Sequence, residues 1–291
     1  MIPPFALARP ASVSEAIATF ADAGQDAAWY AGGTELLQVM KMGLARFGTL
    51  IDLKGLPELR GIAVDASGAL VIGGAVTHRE IERSSIVGRE LPGLVGLEAH
   101  VANVRVRNQG TIGGNLCFAE PHSDPATFLL ACDAHVELWG AGGARELPID
   151  GFFLEPFVTA RTPDEILLAI VIPKAAAGEG RAYEKAKFRE RPAVSVAVRL
   201  RVAGDAIVEA VVAVGSMTDI PVRVPEAGTA LAGAPADPSA LGAPLAAGAE
   251  AMAELDAVGD LDGSADFKRH LAGVLLRSAT RAALSEAIAR A

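Results

Sequence analysis

The chain has 291 residues, 51% of them hydrophobic, and its 26 Lys and Arg against 35 Asp and Glu leave a formal charge of −9. An acidic chain with no long basic run lacks the electrostatic footprint of a nucleic-acid-binding surface, and no stretch reaches the ~18 consecutive apolar residues of a membrane-spanning helix. The length suggests one large domain or two ordinary ones. The opening MIPPFALARP lacks the charged start, apolar core and cleavage site of a secretory signal, so the expected location is the cytoplasm.

Ser12 followed by Glu15 is a capping-box pattern, with Ala16, Ile17, Phe20 and Ala21 as the apolar face of the helix that it opens. A short strand is predicted over 27–31, running into Gly32-Gly33, and then a helix with Leu36, Leu37, Met40 and Leu44 on its apolar side. Residues 51–53 and 70–72 read as further strands, the second ending in Gly73-Gly74. Leu94, Leu97 and Val101 have helical spacing. A polar segment then leads to Thr111-Ile112-Gly113-Gly114-Asn115, and Asp124-Pro125 reads as a helix cap with proline in the first helical position.

Residues 166–172 form an apolar strand stopped by Pro173, and the small-residue stretch 175–180 suits a boundary. Beyond it Val194, Val196, Val198, Leu200 and Val202 alternate with polar or small residues, the period-2 mark of a half-exposed strand. Gly204-Asp205 turns the chain into a second alternating run, Val208 to Val214, so the pair reads as an antiparallel hairpin. The stretch 221–244, rich in Pro, Ala and Gly, reads as an irregular connection. Two helices close the chain, the second with Phe267, Leu271, Val274 and Leu275 on one side and Lys268 and Arg269 elsewhere.

Cys117 and Cys132 match neither a zinc pair nor an iron–sulfur ligand set, and the five histidines show no metal-ligand spacing. No metal is therefore assigned, and Cys117 reads as a packing group with no cation in view to activate it. Chemistry concentrates instead in two glycine-pair loops, Ala31-Gly32-Gly33-Thr34 and Thr111-Ile112-Gly113-Gly114-Asn115. Successive glycines let backbone amides line one concavity and allow close approach, so such a nest binds phosphate without a lysine, the more so where it opens a helix. A lone Gly-Gly is ordinarily a tight turn, the reading given to Gly73-Gly74. The other two share flanking small polar residues, and together they offer a diphosphate cradle. Neither matches G-x-G-x-x-G nor G-x-x-x-x-G-K-[ST], which disfavours a nucleoside-triphosphate machine.

The strings Ala31-Gly32-Gly33-Thr34-Glu35-Leu36-Leu37, Thr111-Ile112-Gly113-Gly114-Asn115-Leu116 and Ser123-Asp124-Pro125 resemble the FAD-binding medium subunit of the molybdenum hydroxylases, the xanthine dehydrogenase and aerobic carbon monoxide dehydrogenase family. The loops lie about eighty residues apart as in that family, Ile51-Asp52-Leu53 follows the first, and Ala182-Tyr183-Glu184-Lys185 opens the second unit. The resemblance implies an α+β fold. A two-part FAD-binding domain of the PCMH (vanillyl-alcohol-oxidase-like) type would span 1–176, with subdomains of about 1–55 and 56–176. A smaller α+β domain with antiparallel sheet and helices would span 177–291.

By the same resemblance Ala31, Gly32, Gly33, Thr34 and Glu35, with Thr111, Gly113, Gly114 and Asn115, would hold the FAD pyrophosphate through main-chain groups. Asp124 would accept hydrogen bonds from FAD hydroxyls, and Leu167 and Lys185 would lie beside the isoalloxazine. Asp124 remains equally a helix cap, Leu167 a core residue and Lys185 a surface one. The implied function is electron transfer: FAD on this chain, a molybdopterin cofactor on a large partner subunit, and a pair of 2Fe-2S clusters on a small one. A dimer of heterotrimers is the implied assembly, with substrate chosen by another chain and electrons leaving to an external acceptor. The alternatives are a self-sufficient flavin oxidoreductase of the same fold and a nucleotide-binding scaffold without redox role.

Overall fold

The computed structural model describes residues 2–291. The N-terminal part is β1 (Ala6–Ala8), α1 (Val13–Ala23), β2 (Ala27–Tyr30), α2 (Leu36–Lys41) and β3 (Thr49–Asp52), its strands forming a parallel sheet in the order β1-β3-β2. The Ser12 hydroxyl accepts from the Glu15 amide at 3.2 Å and starts α1, whose Val13 and Ala16 pack with Ile51 and Leu53. Helix α2 ends earlier than its apolar spacing predicts. Gly43, at φ +78°, takes the chain out of the helix and leaves Leu44 73% exposed.

Next come β4 (Ile62–Val64) and β5 (Leu70–Gly73), then six short helices: α3 (His78–Arg83), α4 (Ser85–Glu90), α5 (Pro92–Glu98), α6 (Val104–Gln109), α7 (Ile112–Phe118) and α8 (Asp124–Ala131). They are followed by β6 (His135–Gly140), β7 (Gly143–Pro148), a small ribbon of β8 (Phe153–Glu155) with β9 (Val158–Thr159), and β10 (Ile166–Ile172). The large sheet here is antiparallel in the order β4-β5-β10-β6-β7. Side chains of Thr77, Ser84, Asn103, Thr111 and Ser123 each accept from a first-turn amide, so five of the six helices start on a local polar residue. The expectation that Asp124 caps its helix is corrected: Ser123 does so, and Asp124, first inside α8, has its carboxylate released for other partners.

The C-terminal part is an antiparallel sheet in the order β11-β12-β13-β14, from β11 (Glu179–Lys187), β12 (Pro192–Ala203), β13 (Ala206–Gly215) and β14 (Val222–Arg223). It is covered by α9 (Pro225–Leu231), α10 (Gly242–Ala253) and α11 (Ala265–Ala289). The hairpin forms across Gly204-Asp205 as predicted, but β12 is not half-exposed. Its valines pack under the helices while Ser195 and Ala197 turn to α8, whose Thr127 hydroxyl lies 3.2 Å from that of Ser195. Every residue of α8 is buried. The stretch 221–244 is also more regular than expected, since it contains β14 and α9. In α11 the predicted face is met in part, with Leu275 buried and Leu271 packed against the core. Lys268, Ala272, Leu276, Ala279 and Ala283 are buried, whereas Phe267 and Val274 are exposed. Among the described residues no helix is long and apolar enough to cross a membrane.

Candidate functional site

The link from β2 to α2 places Gly33 at φ +71°, with the Tyr30 ring so close that a Cβ at Gly33 would sit 2.4 Å from its edge. Lys54 lies over the other part of that ring, 3.7 Å from its centroid, and donates to the Ala31 carbonyl at 3.3 Å. The loop is thereby propped from beneath. Among the described residues nothing accepts from the amides of Gly32, Gly33, Thr34 or Glu35, so four consecutive donors are free for a ligand.

The second loop is built differently. Thr111 caps α7, and the glycines lie in its first turn. The amides of Ile112 and Gly113 donate to Val76 and Gly74 carbonyls, that of Gly114 to the Thr111 hydroxyl, and that of Asn115 to the Thr111 carbonyl. The amides of Gly113, Gly114 and Asn115, expected to face an anion, are thus engaged within the chain, unlike those of residues 32–35. What these glycines provide is room. A Cβ at Gly113 would lie 2.5 Å from the Gly74 carbonyl oxygen, and one at Gly114 2.8 Å from the Thr111 hydroxyl. Asn115 supplies the polar group instead: its Oδ1 accepts from the Ser123 hydroxyl at 2.5 Å, leaving Nδ2 for the cleft.

Gly73-Gly74, read as a simple turn, is a junction. A Cβ at Gly74 would stand 2.1 Å from the Leu167 carbonyl, and a Cβ at Gly32 2.2 Å from the Gln109 carbonyl. Backbone meets backbone at Gly32–Gln109, at Gly113–Gly74 and at Gly74–Leu167, and these approaches bring both glycine loops to one cavity of about 570 Å³. Ala31, Gly32, Gly33, Thr34, Glu35, Thr111, Gly113, Gly114, Asn115, Asp124 and Leu167 all line it; Lys185 does not. Lys185 is spent behind Asp124, its Nζ 2.8 Å from both carboxylate oxygens and 3.0 Å from the His100 carbonyl, with 9% and 5% of the two side chains exposed. Tyr183 also donates to Asp124. Burial, and then the Asp124 charge, hold its hydroxyl protonated well above the usual phenol range.

Residues not assigned to the site from sequence complete the walls. Trp29, stacked on Phe20 at 4.6 Å and tied through Nε1 to the Pro163 carbonyl, lines one part, and Phe118, edge-on to Phe157, another. Arg161 lines the cleft with Nη1 fixed on three carbonyls while its buried Nε has no partner among the described residues. It is the cation beside Cys117 that sequence reasoning did not find. Burial nonetheless raises that thiol, and the arginine offsets only part of the effect, so Cys117 is a wall residue and not a nucleophile. Arg191, from the turn between β11 and β12, reaches Glu35 at 3.3 Å and Glu120 at 2.8 Å. His78 is the most buried histidine in the wall.

A long cleft with four free amides, an orphaned guanidinium hydrogen and two glycine loops packed closely enough to share it fits a flavin dinucleotide. The family model described as "FAD binding domain in molybdopterin dehydrogenase" matches residues 3–175, and that of the "CO dehydrogenase flavoprotein C-terminal domain" matches 181–283. The chain belongs to the FAD-binding medium subunits of the molybdenum hydroxylases. This medium subunit is 35% identical to the carbon monoxide dehydrogenase medium chain of Hydrogenophaga pseudoflava, over 97% of its length and 98% of the relative's. It is 31% identical to the xanthine dehydrogenase FAD-binding subunit of Escherichia coli O157:H7, over 97% and 96%. Its fold superposes with a TM-score of 0.92 on a chain of the Hydrogenophaga pseudoflava carbon monoxide dehydrogenase lacking the Mo-pyranopterin moiety (35% identity, 98% and 99% covered). Against quinoline 2-oxidoreductase of Pseudomonas putida 86 the TM-score is 0.91 (28% identity, 99% of each).

Proposed function

We propose that this medium subunit is the electron-transfer flavoprotein of a heterotrimeric molybdenum hydroxylase, taking electrons from 2Fe-2S clusters on a small partner and passing them to an external acceptor. A large partner would carry the molybdopterin cofactor and choose the substrate, and two heterotrimers would assemble together. The observation that carries the reading is the convergence of the free-amide loop 31–35 and the α7 glycines on one cavity. Residues 1–176 would form the FAD-binding domain and 177–291 the C-terminal domain, a division supported by where the two family matches end and begin.

Bound FAD would supply the redox chemistry; the chain supplies position and charge. The amides of Gly32 to Glu35 would donate to the pyrophosphate beside Ala31, and Asn115 Nδ2 would add a donor from the opposite wall, where Thr111, Gly113 and Gly114 allow close approach. Asp124, fixed from behind by Lys185 and Tyr183, would accept from FAD hydroxyls, and Leu167 would exclude water at the ring. Lys185 would act on the ring only through Asp124, as a positioning residue. The test is co-purification followed by reduction of the chain's flavin. Bleaching that requires both partners and substrate is expected, whereas bleaching by substrate with the isolated chain would establish a self-sufficient oxidoreductase, and a colourless chain that takes up no FAD would overturn both.

A further inference from the structure

We propose that His78, held by the buried carboxylate of Glu98, presents Nε2–H to the diphosphate of the flavin nucleotide and is a cofactor-contacting residue of the cleft. The inference rests on the reading of this cleft as the FAD site. His78 opens α3 directly after a complete capping box between Thr77 and Glu80, and its amide donates to the Gly110 carbonyl at 3.0 Å. Its ring lies in the seam between the two loops, since a Cβ on Gly110 would be 3.2 Å from His78 Cδ2 and 3.4 Å from the Thr34 hydroxyl.

Nδ1 stands 2.7 Å from Glu98 Oε2, with 3% and 0% of the two side chains exposed. Among the described residues Glu98 Oε1 has no hydrogen-bond partner. A buried glutamate with one bare oxygen depends on the imidazole for its single hydrogen bond. The other charges near α3 are committed elsewhere: Glu82 to Arg79 and to Arg107 of α6, and Glu80 to Arg60. Glu98 of α5 is therefore the charge that faces the imidazole. Nδ1 is engaged by Glu98, and among the described residues Nε2 has no hydrogen-bond partner while His78 lines the cavity, so Nε2 is the ring nitrogen left for a ligand. Neither glycine loop contains a Lys or Arg. A ring N–H at the seam adds a donor from which an anionic diphosphate can accept.

The experiment uses the full chain labelled with 15N-histidine and stripped of flavin, with the His78 resonances assigned by their loss in His78→Phe. The expected result is that FAD and ADP each move the Nε2 resonance, adenosine does not, and His78→Phe and Glu98→Gln weaken FAD roughly tenfold to a hundredfold, the range of a hydrogen bond to a charged group. FAD bound with Nε2 unmoved would overturn the proposal and leave the cofactor reading standing; a chain that takes up no FAD would overturn the cofactor reading itself. If His78→Phe fails to fold, single replacement of the other four histidines assigns the resonance, and its movement decides.

Discussion

Gly113 and Gly114 are adjacent in sequence and constrained for different reasons. The built Cβ of Gly113 meets a main-chain carbonyl that no rotamer change can move, whereas that of Gly114 meets only the Thr111 hydroxyl. Gly113→Ala should therefore separate α7 from Gly74, destabilise the fold by about 1–3 kcal/mol and lose flavin, measured as melting temperature and absorbance per chain. Asp124 poses a different problem, because replacing it strands a buried ammonium. Asp124→Asn should cost roughly 3 kcal/mol in urea unfolding, and adding Lys185→Met should restore most of that stability without restoring FAD retention. At this scale the glycine strings were legible because glycine pairs have few structural uses. Which loop keeps its amides free was not, since that depends on carbonyls from Gly74 and Val76 that only the fold brings near. His78 was illegible for the same reason: locally it is the residue after a cap, and Glu98 is its partner only in space.

The β12–β13 hairpin and α1 were readable because their signals are local: alternation around a two-residue turn, and a cap followed by an apolar face. The register of α11 was read only in part, because one of its buried positions is a lysine. Lys268 Nζ donates to the Ser216 carbonyl at 2.9 Å and to Asp260 at 2.6 Å, which satisfies the charge and lets the position enter the core. The loop before α11 is tied in turn to the cleft. Asp260 lies 3.1 Å from His122 Nε2, and Glu120 2.8 Å from Nδ1. Burial alone would raise the Asp260 carboxyl, but Lys268, the Asp262 amide and His122 outweigh it and bring it down to about 2. His122 is raised, chiefly by Glu120 against the opposing effect of burial. A group raised on folding stabilises fully below its ordinary value of 6.5 and loses that contribution as pH climbs through the raised one. The stability gap between wild type and His122→Gln should be largest near pH 6 and shrink toward pH 9 in parallel thermal melts.

Taken whole, the chain joins its two matched segments through one core. Leu129 and Phe128 of α8 pack in the same cluster as Ala197 of β12 and Ala213 of β13, and Arg199 and Arg223 both close on Asp133, at 2.6 and 2.5 Å. This joint was not legible in sequence, because the covering of α8 by β12 comes from residues some seventy positions later. A helix sheathed on every side has no wet face from which to fray. Its amide protons can trade with deuterium only when the chain opens as a unit, so the peptide 124–131 should exchange as slowly as global unfolding allows, and no faster with the coenzyme removed than the melt itself predicts. The same peptide would thus keep time for both halves at once.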